Sequence, residues 1–163
     1  MLAALVLALA AATPSPVVIH EAAARSAGNR RAEATAIAQA LLARPRLASI
    51  TKVRVDGAAG IAPVAGILLS GTKLHAGAPR WPALLAEVSR LAALAFATDP
   101  HVAEVDIWAT VPLNLRVGTR FVSGDLAQPD SAVVFTRTQR RGGSATMWWD
   151  PAWRAKAFDA RAP

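Results

Sequence analysis

From Met1 to Ala12 every residue is apolar (MLAALVLALAAA), and the run stops at Thr13-Pro14-Ser15-Pro16, where proline ends any helix. Beyond it, the spacing of apolar positions changes along the chain. Ala34, Ile37, Ala38 and Leu41 recur at helical spacing, with Arg30, Arg31, Glu33 and Gln39 as polar partners. This predicts a helical stretch from about Val17 to Ala43, ended by Pro45. Gly28-Asn29 weakens its middle, so the stretch is either one kinked helix or two. Ile50 to Val55 is β-branched and partly alternating, and Val64 to Leu69 follows after a Gly57–Gly60 turn. The two read as an antiparallel hairpin.

Gly71 to Pro79 reads as a loop. Pro82 then opens the clearest helix, carrying Leu84, Leu85, Val88, Leu91, Ala92, Ala95 and Phe96 up to Ala97, before Asp99-Pro100 stops it. In Val102 to Thr110 the pattern switches to alternation, Val105 and Ile107 on one face and Asp106 and Trp108 on the other. Leu115 to Val122 and Ala132 to Thr138 are further strand candidates. From Gly142 the chain reads as an irregular tail ending in a short helix begun by Asp150-Pro151.

A faint internal echo runs through this order. Leu41-Leu42-Ala43-Arg44-Pro45-Arg46-Leu47 precedes Ile50 as Phe96-Ala97-Thr98-Asp99-Pro100-His101-Val102 precedes Val105, an offset of 55 residues. Two helix–hairpin units in one layered sheet would produce it. The expected fold is therefore α+β: a two-layer sandwich, its sheet antiparallel or mixed, with two main helices on one face. Residues 17–141 would form the single domain and residues 142–163 a Trp/Arg-rich tail.

The leader changes the expected compartment. Its 12 residues fall short of the roughly 20 needed to span a bilayer core but match the apolar region of a signal peptide, with Ala10-Ala11-Ala12 suited to cleavage. A signal peptide also begins with a basic residue, and the first one here is Arg25. The true start lies upstream, or the leader is a weak one, or the run only begins a helix. Residues 1–12 as a signal peptide, and a periplasmic or secreted protein, are the expectation. The absence of Cys removes disulfides, thiolate ligands, a Cys nucleophile and a lipidated Cys together.

The 163 residues carry a formal charge of +7, from 15 Arg and 3 Lys against 11 Asp and Glu. Such a balance suits an acidic partner: anionic lipid, an acidic polymer or nucleic acid. GC-rich coding, visible in the abundant Ala, Pro and Gly, produces the same excess of Arg without any partner.

Helix, strand, Gly turn, a strand ending Leu69-Ser70-Gly71, helix, and a strand containing Val105-Asp106 together resemble the order of BON domains. These are small αββαβ modules of bacterial envelope proteins. The resemblance covers about Glu33 to Ala109 and implies binding to membranes or partner proteins. The long loop before the second helix, holding Pro79 and Pro82, the single copy and the continuing strands depart from that pattern.

Candidate chemistry is sparse. His20, His75 and His101 are the histidines; His101 lies near Asp99, Glu104 and Asp106, yet in a strand His101 and Glu104 point to opposite faces, and no HExxH or HxH spacing occurs. No metal site and no cofactor is expected. Glu104 and Asp106 share a face, so an exported hydrolase using His101 with one of them stays open as an alternative, against an ordinary solvated strand face. Gly-Ile-Leu-Leu-Ser-Gly at 66–71 is not a nucleophile elbow, and no phosphate-cradling glycine motif occurs.

The richest stretch is C-terminal. Arg137, Arg140 and Arg141 form a basic cluster, and Trp148, Trp149 and Trp153 follow, three of the chain's five tryptophans. Trp beside Arg suits a lipid interface, a sugar polymer or single-stranded nucleic acid. Equally, Trp149 and Trp153, four apart on a short helix, could fold back and cap the sheet. The function expected is a non-enzymatic envelope module that binds anionic lipid, cell-wall polymer or an envelope protein through this surface. Nucleic-acid binding through the same tail is the third reading, and export disfavours it.

Overall fold

The computed structural model describes residues 25–44, 46–74, 80–112 and 131–159. Along the chain run β1 (Arg25–Ala27), α1 (Arg31–Leu42), β2 (Ala48–Asp56), β3 (Val64–Leu74), α2 (Trp81–Thr98), β4 (Glu104–Pro112), β5 (Ser131–Arg140), β6 (Ala145–Trp149) and α3 (Pro151–Arg154), then a π-helical turn at Ala155–Asp159. The fold is α+β. The strands lie in the order β1-β2-β3-β4-β5-β6. β1 pairs with β2, and β3 with β4, in parallel; the other neighbours are antiparallel. The sheet is therefore mixed, and each parallel pair is joined by a helical crossover, as parallel neighbours require.

The core follows the apolar spacing. Ala34, Ile37 and Leu41 of α1 and Leu84, Val88, Leu91 and Ala95 of α2 join Val53, Val55, Ile67, Val105 and Ile107 in one buried cluster. Inward and outward positions alternate along β4 as its sequence indicates, with Val105, Ile107, Ala109 and Val111 buried and Asp106 and Trp108 half-buried on the other face. The hairpin of β2 and β3 is antiparallel, with Val53 opposite Ile67 and Val55 opposite Ala65. α1 and α2 pack on each other.

Three expected elements differ. The long helix from Val17 does not include residues 25–27, which form β1 beside Lys52, Val53 and Arg54. Gly28 breaks the continuity: its φ is +90°, and a Cβ there would collide with the Val55 carbonyl, so only glycine fits. The backbone amide of Arg30 donates to that same carbonyl. Next, the strand expected to end at Leu69 continues to Leu74, so Gly71–Leu74 is strand and not loop; Gly71 sits where β3 runs close to β4, and a Cβ there would meet Val111 Cγ1 at 2.8 Å. Finally, the tail is not irregular at its start. Residues 145–149 are a sixth strand paired with β5, and Trp149 and Trp153 sit on a strand and a helix, not on one short helix. The leader at 1–12, the strand candidate Leu115–Val122 and His20 and His75 lie outside the described residues.

Candidate functional site

The C-terminal elements are held by a knot of aromatic rings. Trp81, at the start of α2, has edge-on contacts with Trp149 of β6 at 5.1 Å, Phe158 at 5.4 Å, Phe135 of β5 at 6.0 Å and Trp153 of α3 at 6.2 Å between centroids. Edge-to-face rings at these distances add to the gain from burial alone. Asp150 caps α3, its Oδ1 accepting the Trp153 backbone N–H at 2.7 Å. The Trp153 indole N–H donates to the Gly71 carbonyl at 3.0 Å, which ties α3 to β3. Trp153 is 2% exposed and so is a core residue. Trp149 packs against the same core.

Trp148 has the opposite orientation. In the strand ladder Trp108 of β4, Thr136 of β5 and Trp148 of β6 lie side by side, on the face turned away from Phe135 and Trp149. Trp108 and Trp148 are half-buried there. The five tryptophans are thus divided, Trp81 and Trp153 in the core with half-buried Trp149 packed against it, and Trp108 and Trp148 on the second sheet face.

The arginines divide too. Arg140 is an exposed end-of-strand side chain whose Nε donates to Glu104 at 3.0 Å, a surface pair of small energetic weight. Arg141 reaches back to the C-terminus of α2. Its Nη2 donates to the carbonyls of Phe96 and Asp99 at 3.1 and 2.8 Å, its Nε to that of Val102 at 2.9 Å, and its guanidinium lies 4.8 Å over the Phe96 ring. Arg154 lies over Trp81 at 5.1 Å.

Arg137 is the exception. It points to the core side of β5, beside Ile107 of β4 and Met147 of β6, and is 5% exposed. Nη2 donates to Gln139 Oε1 at 2.6 Å, while Nε and Nη1 are buried without a hydrogen-bond partner among the described residues. Burial pulls its pKa below the usual guanidinium value. Gln139 and Met147 had no signal of their own in the sequence; the two-residue step from Arg137 to Gln139 on one strand face is the trace that could have found the first of them.

His101, Glu104 and Asp106 are not brought together as an acid–base set. His101 is exposed, with its backbone N–H held by Asp99 Oδ1 at 2.9 Å; Glu104 is engaged by Arg140, and Asp106 accepts the Thr138 hydroxyl. Burial, chiefly, raises the Asp106 pKa, with Thr138 opposing and Glu104 adding to the rise. Among the described residues no group of three or more His, Asp and Glu gathers as a metal site, and no helix is long and apolar enough to cross a membrane. A shallow pocket of 320 Å³ lies elsewhere, lined by Arg44, Arg90, Ala93, Leu94 and Ala97.

The chemistry that remains is electrostatic. Residues 131–158 place Arg137, Arg140, Arg141, Arg154 and Lys156 along one margin of the sheet, with Asp150 in the same segment and Glu104 and Asp106 facing it from β4. No protein-family model, curated protein or solved structure matches the chain.

Proposed function

We propose that the chain is an exported, non-enzymatic envelope module, a two-layer sandwich with α1 and α2 on one face of the sheet, whose basic margin binds an anionic polymer or lipid surface. The observation that carries this reading is the collection of Arg137, Arg140, Arg141 and Arg154 around β5, β6 and α3; of the first three, Arg140 alone is paired with a carboxylate by a salt bridge among the described residues. Mutual contact of α1 and α2, and their share in a single core, support the layered arrangement. The leader at 1–12 supports export, and the BON-like order of elements agrees with an envelope role. An acidic polymer would be drawn by long-range attraction within about 10 Å at 0.1 M salt. Half-buried Trp148 could add apolar contact on the other sheet face.

Co-sedimentation with vesicles containing phosphatidylglycerol, and retention on heparin, test the reading. Binding at low salt that weakens steeply as salt rises is expected, and Arg140→Glu with Lys156→Glu, both exposed positions, should abolish it. Absence of binding to either at any salt sinks the proposal. Retention on duplex DNA equal to that on heparin would move it to nucleic acid. A periplasmic form whose mass still includes Met1–Ala12 would refute the cleaved leader.

A further inference from the structure

We infer that Arg137 is a receptor for an oxyanion, a carboxylate or phosphate group borne by the partner of the basic margin; this rests on the proposed function and names the chemical group that the margin recognises.

The geometry of one side chain carries the inference. The Arg137 residue is 5% exposed, and its Nε and Nη1 have no acceptor among the described residues. Buried donors in folded proteins are almost always satisfied by protein, water or ligand, so each orphan calls for a partner. A buried cation without a counter-charge is costlier still. Arg140 and Arg141 of this margin are answered, the first by Glu104 and the second by three carbonyls.

The side chain is also held in place. Gln139 Oε1 accepts from Nη2 at 2.6 Å, and the same amide donates through Nε2 to the Gly143 carbonyl at 3.1 Å. Gln139 is therefore oriented from both ends and fixes the guanidinium plane, the preorganisation that bidentate recognition of carboxylate or phosphate needs. Ile107, fully buried, walls the site on the β4 side, and Met147, 44% exposed, flanks it on the β6 side. An unbranched thioether at a surface can swing aside to admit a ligand group. Arg140 and Arg141, next along the chain, add attraction for an approaching anion.

The test uses the full chain labelled with nitrogen-15, observing arginine Nε–H resonances during separate titrations with sodium phosphate and sodium acetate at constant ionic strength. The Arg137 resonance, identified by its loss in Arg137→Lys, should shift saturably. A response to acetate assigns a carboxylate-bearing partner, and a response to phosphate assigns a phosphate-bearing one. Affinity, read from the remaining shifts and from anion-dependent Tm, should be at least about tenfold weaker in Arg137→Lys and unchanged in Arg31→Gln, an exposed position at the start of α1. Gln139→Glu provides a second route if Arg137→Lys folds poorly. It places a counter-charge against the guanidinium, so it should raise Tm and abolish the response to added anion. If neither anion moves the resonance, or if Gln139→Glu responds like the parent, the inference is wrong. Heparin or vesicle binding that persists without a small-anion response would reject this site and leave the proposed function standing. Loss of all polyanion binding alongside an intact Arg137 response would reject the function instead.

Discussion

The C-terminal ends of α1 and α2 solve the same problem with different parts of the chain. A helix leaves its last four carbonyls without intrahelical partners and its C-terminus partly negative. Neither helix carries a basic residue in its last turn. At α1 the remedy is local: Arg46 Nη1 donates to the carbonyls of Leu41, Leu42 and Arg44 at 3.0, 2.9 and 2.6 Å. At α2 it is remote, with Arg141 reaching Phe96, Asp99 and Val102 from beyond the end of β5. Under the 55-residue offset, Leu41 matches Phe96 and Arg44 matches Asp99, so two of the three carbonyls that each guanidinium reaches are equivalent. The first unit carries its own cap. The second is finished only when β5 is paired.

The same contrast runs through the rest of the two units. β1, α1 and β2 form one parallel crossover, and β3, α2 and β4 form another, yet only the second is extended by β5, β6 and α3. Glu87 of α2 connects the units, its carboxylate accepting the Leu47 and Ala48 backbone N–H groups at the entrance to β2. Burial, the largest influence, raises the Glu87 pKa, and those two hydrogen bonds oppose the rise. One helix thus satisfies backbone in the other unit, and the units share a single core.

The most severe way to break the comparison is to remove what both units share. Leu91 is fully buried in the common cluster, so Leu91→Ala should cost about 2–5 kcal/mol. Denaturant unfolding should show one transition shifted as a whole. Two separated transitions would mean that the units are independent domains, contrary to the single core.

Next in size are the caps themselves. Arg46 is 6% exposed, so Arg46→Ala strands carbonyls that water reaches poorly and should cost about 2 kcal/mol. Arg141 is more exposed; water can replace it, and Arg141→Ala should cost about 1 kcal/mol. Hydrogen exchange separates the two further. Arg46→Ala should expose amides in the last turn of α1, whereas Arg141→Ala should loosen the end of α2 together with the β5–β6 turn. Equal loss of protection at both helix ends in either variant would overturn the distinction between local and remote caps.

What could be read beforehand follows the same division between local and remote. Alternation made β4 legible, because Val105 and Ile107 bury while Asp106 and Trp108 do not. Spacing made α2 legible through Leu84, Val88, Leu91 and Ala95, but it did not reveal buried Glu87, whose acceptor role depends on amides some 40 residues away. β6 was hidden because it is an edge strand with exposed Thr146 and Met147 following Gly142-Gly143, and a strand with little to bury shows little alternation. The Asp150-Pro151 helix start was legible because a cap is local chemistry. At the site, the Arg cluster was plain, but three nearby arginines read as one solvated patch. Strand alternation within β5, with Phe135, Arg137 and Gln139 on one face and Thr136, Thr138 and Arg140 on the other, separates the buried one from the exposed one. Arg141's role as a cap depended on where α2 ends in space.

The smallest effect sharpens the comparison at its carboxylates. Asp56, at the end of β2, is bound by Arg54 on its own strand, which is the chief cause of a lowered pKa, although burial opposes it. Asp106, on β4, has no such cation among the described residues; burial raises its pKa despite the Thr138 hydroxyl. The signs are opposite. A depressed folded-state pKa means that Asp56 stabilises the fold above the ordinary aspartate value and loses that contribution as pH falls through its folded value. A raised pKa means that the contribution of Asp106 is complete below the ordinary value and disappears as pH rises through its folded one. Asp56→Asn should therefore weaken the protein near neutrality and matter little in strong acid. Asp106→Asn should remove a penalty felt near neutrality, partly offset by a weaker acceptor for Thr138. Tm measured from acid to neutral pH should then show the parent-minus-variant difference rising with pH for Asp56→Asn and falling for Asp106→Asn. Parallel slopes would mean that the two carboxylates share one environment, and that the first unit does not hold its charged groups locally while the second leaves them to burial.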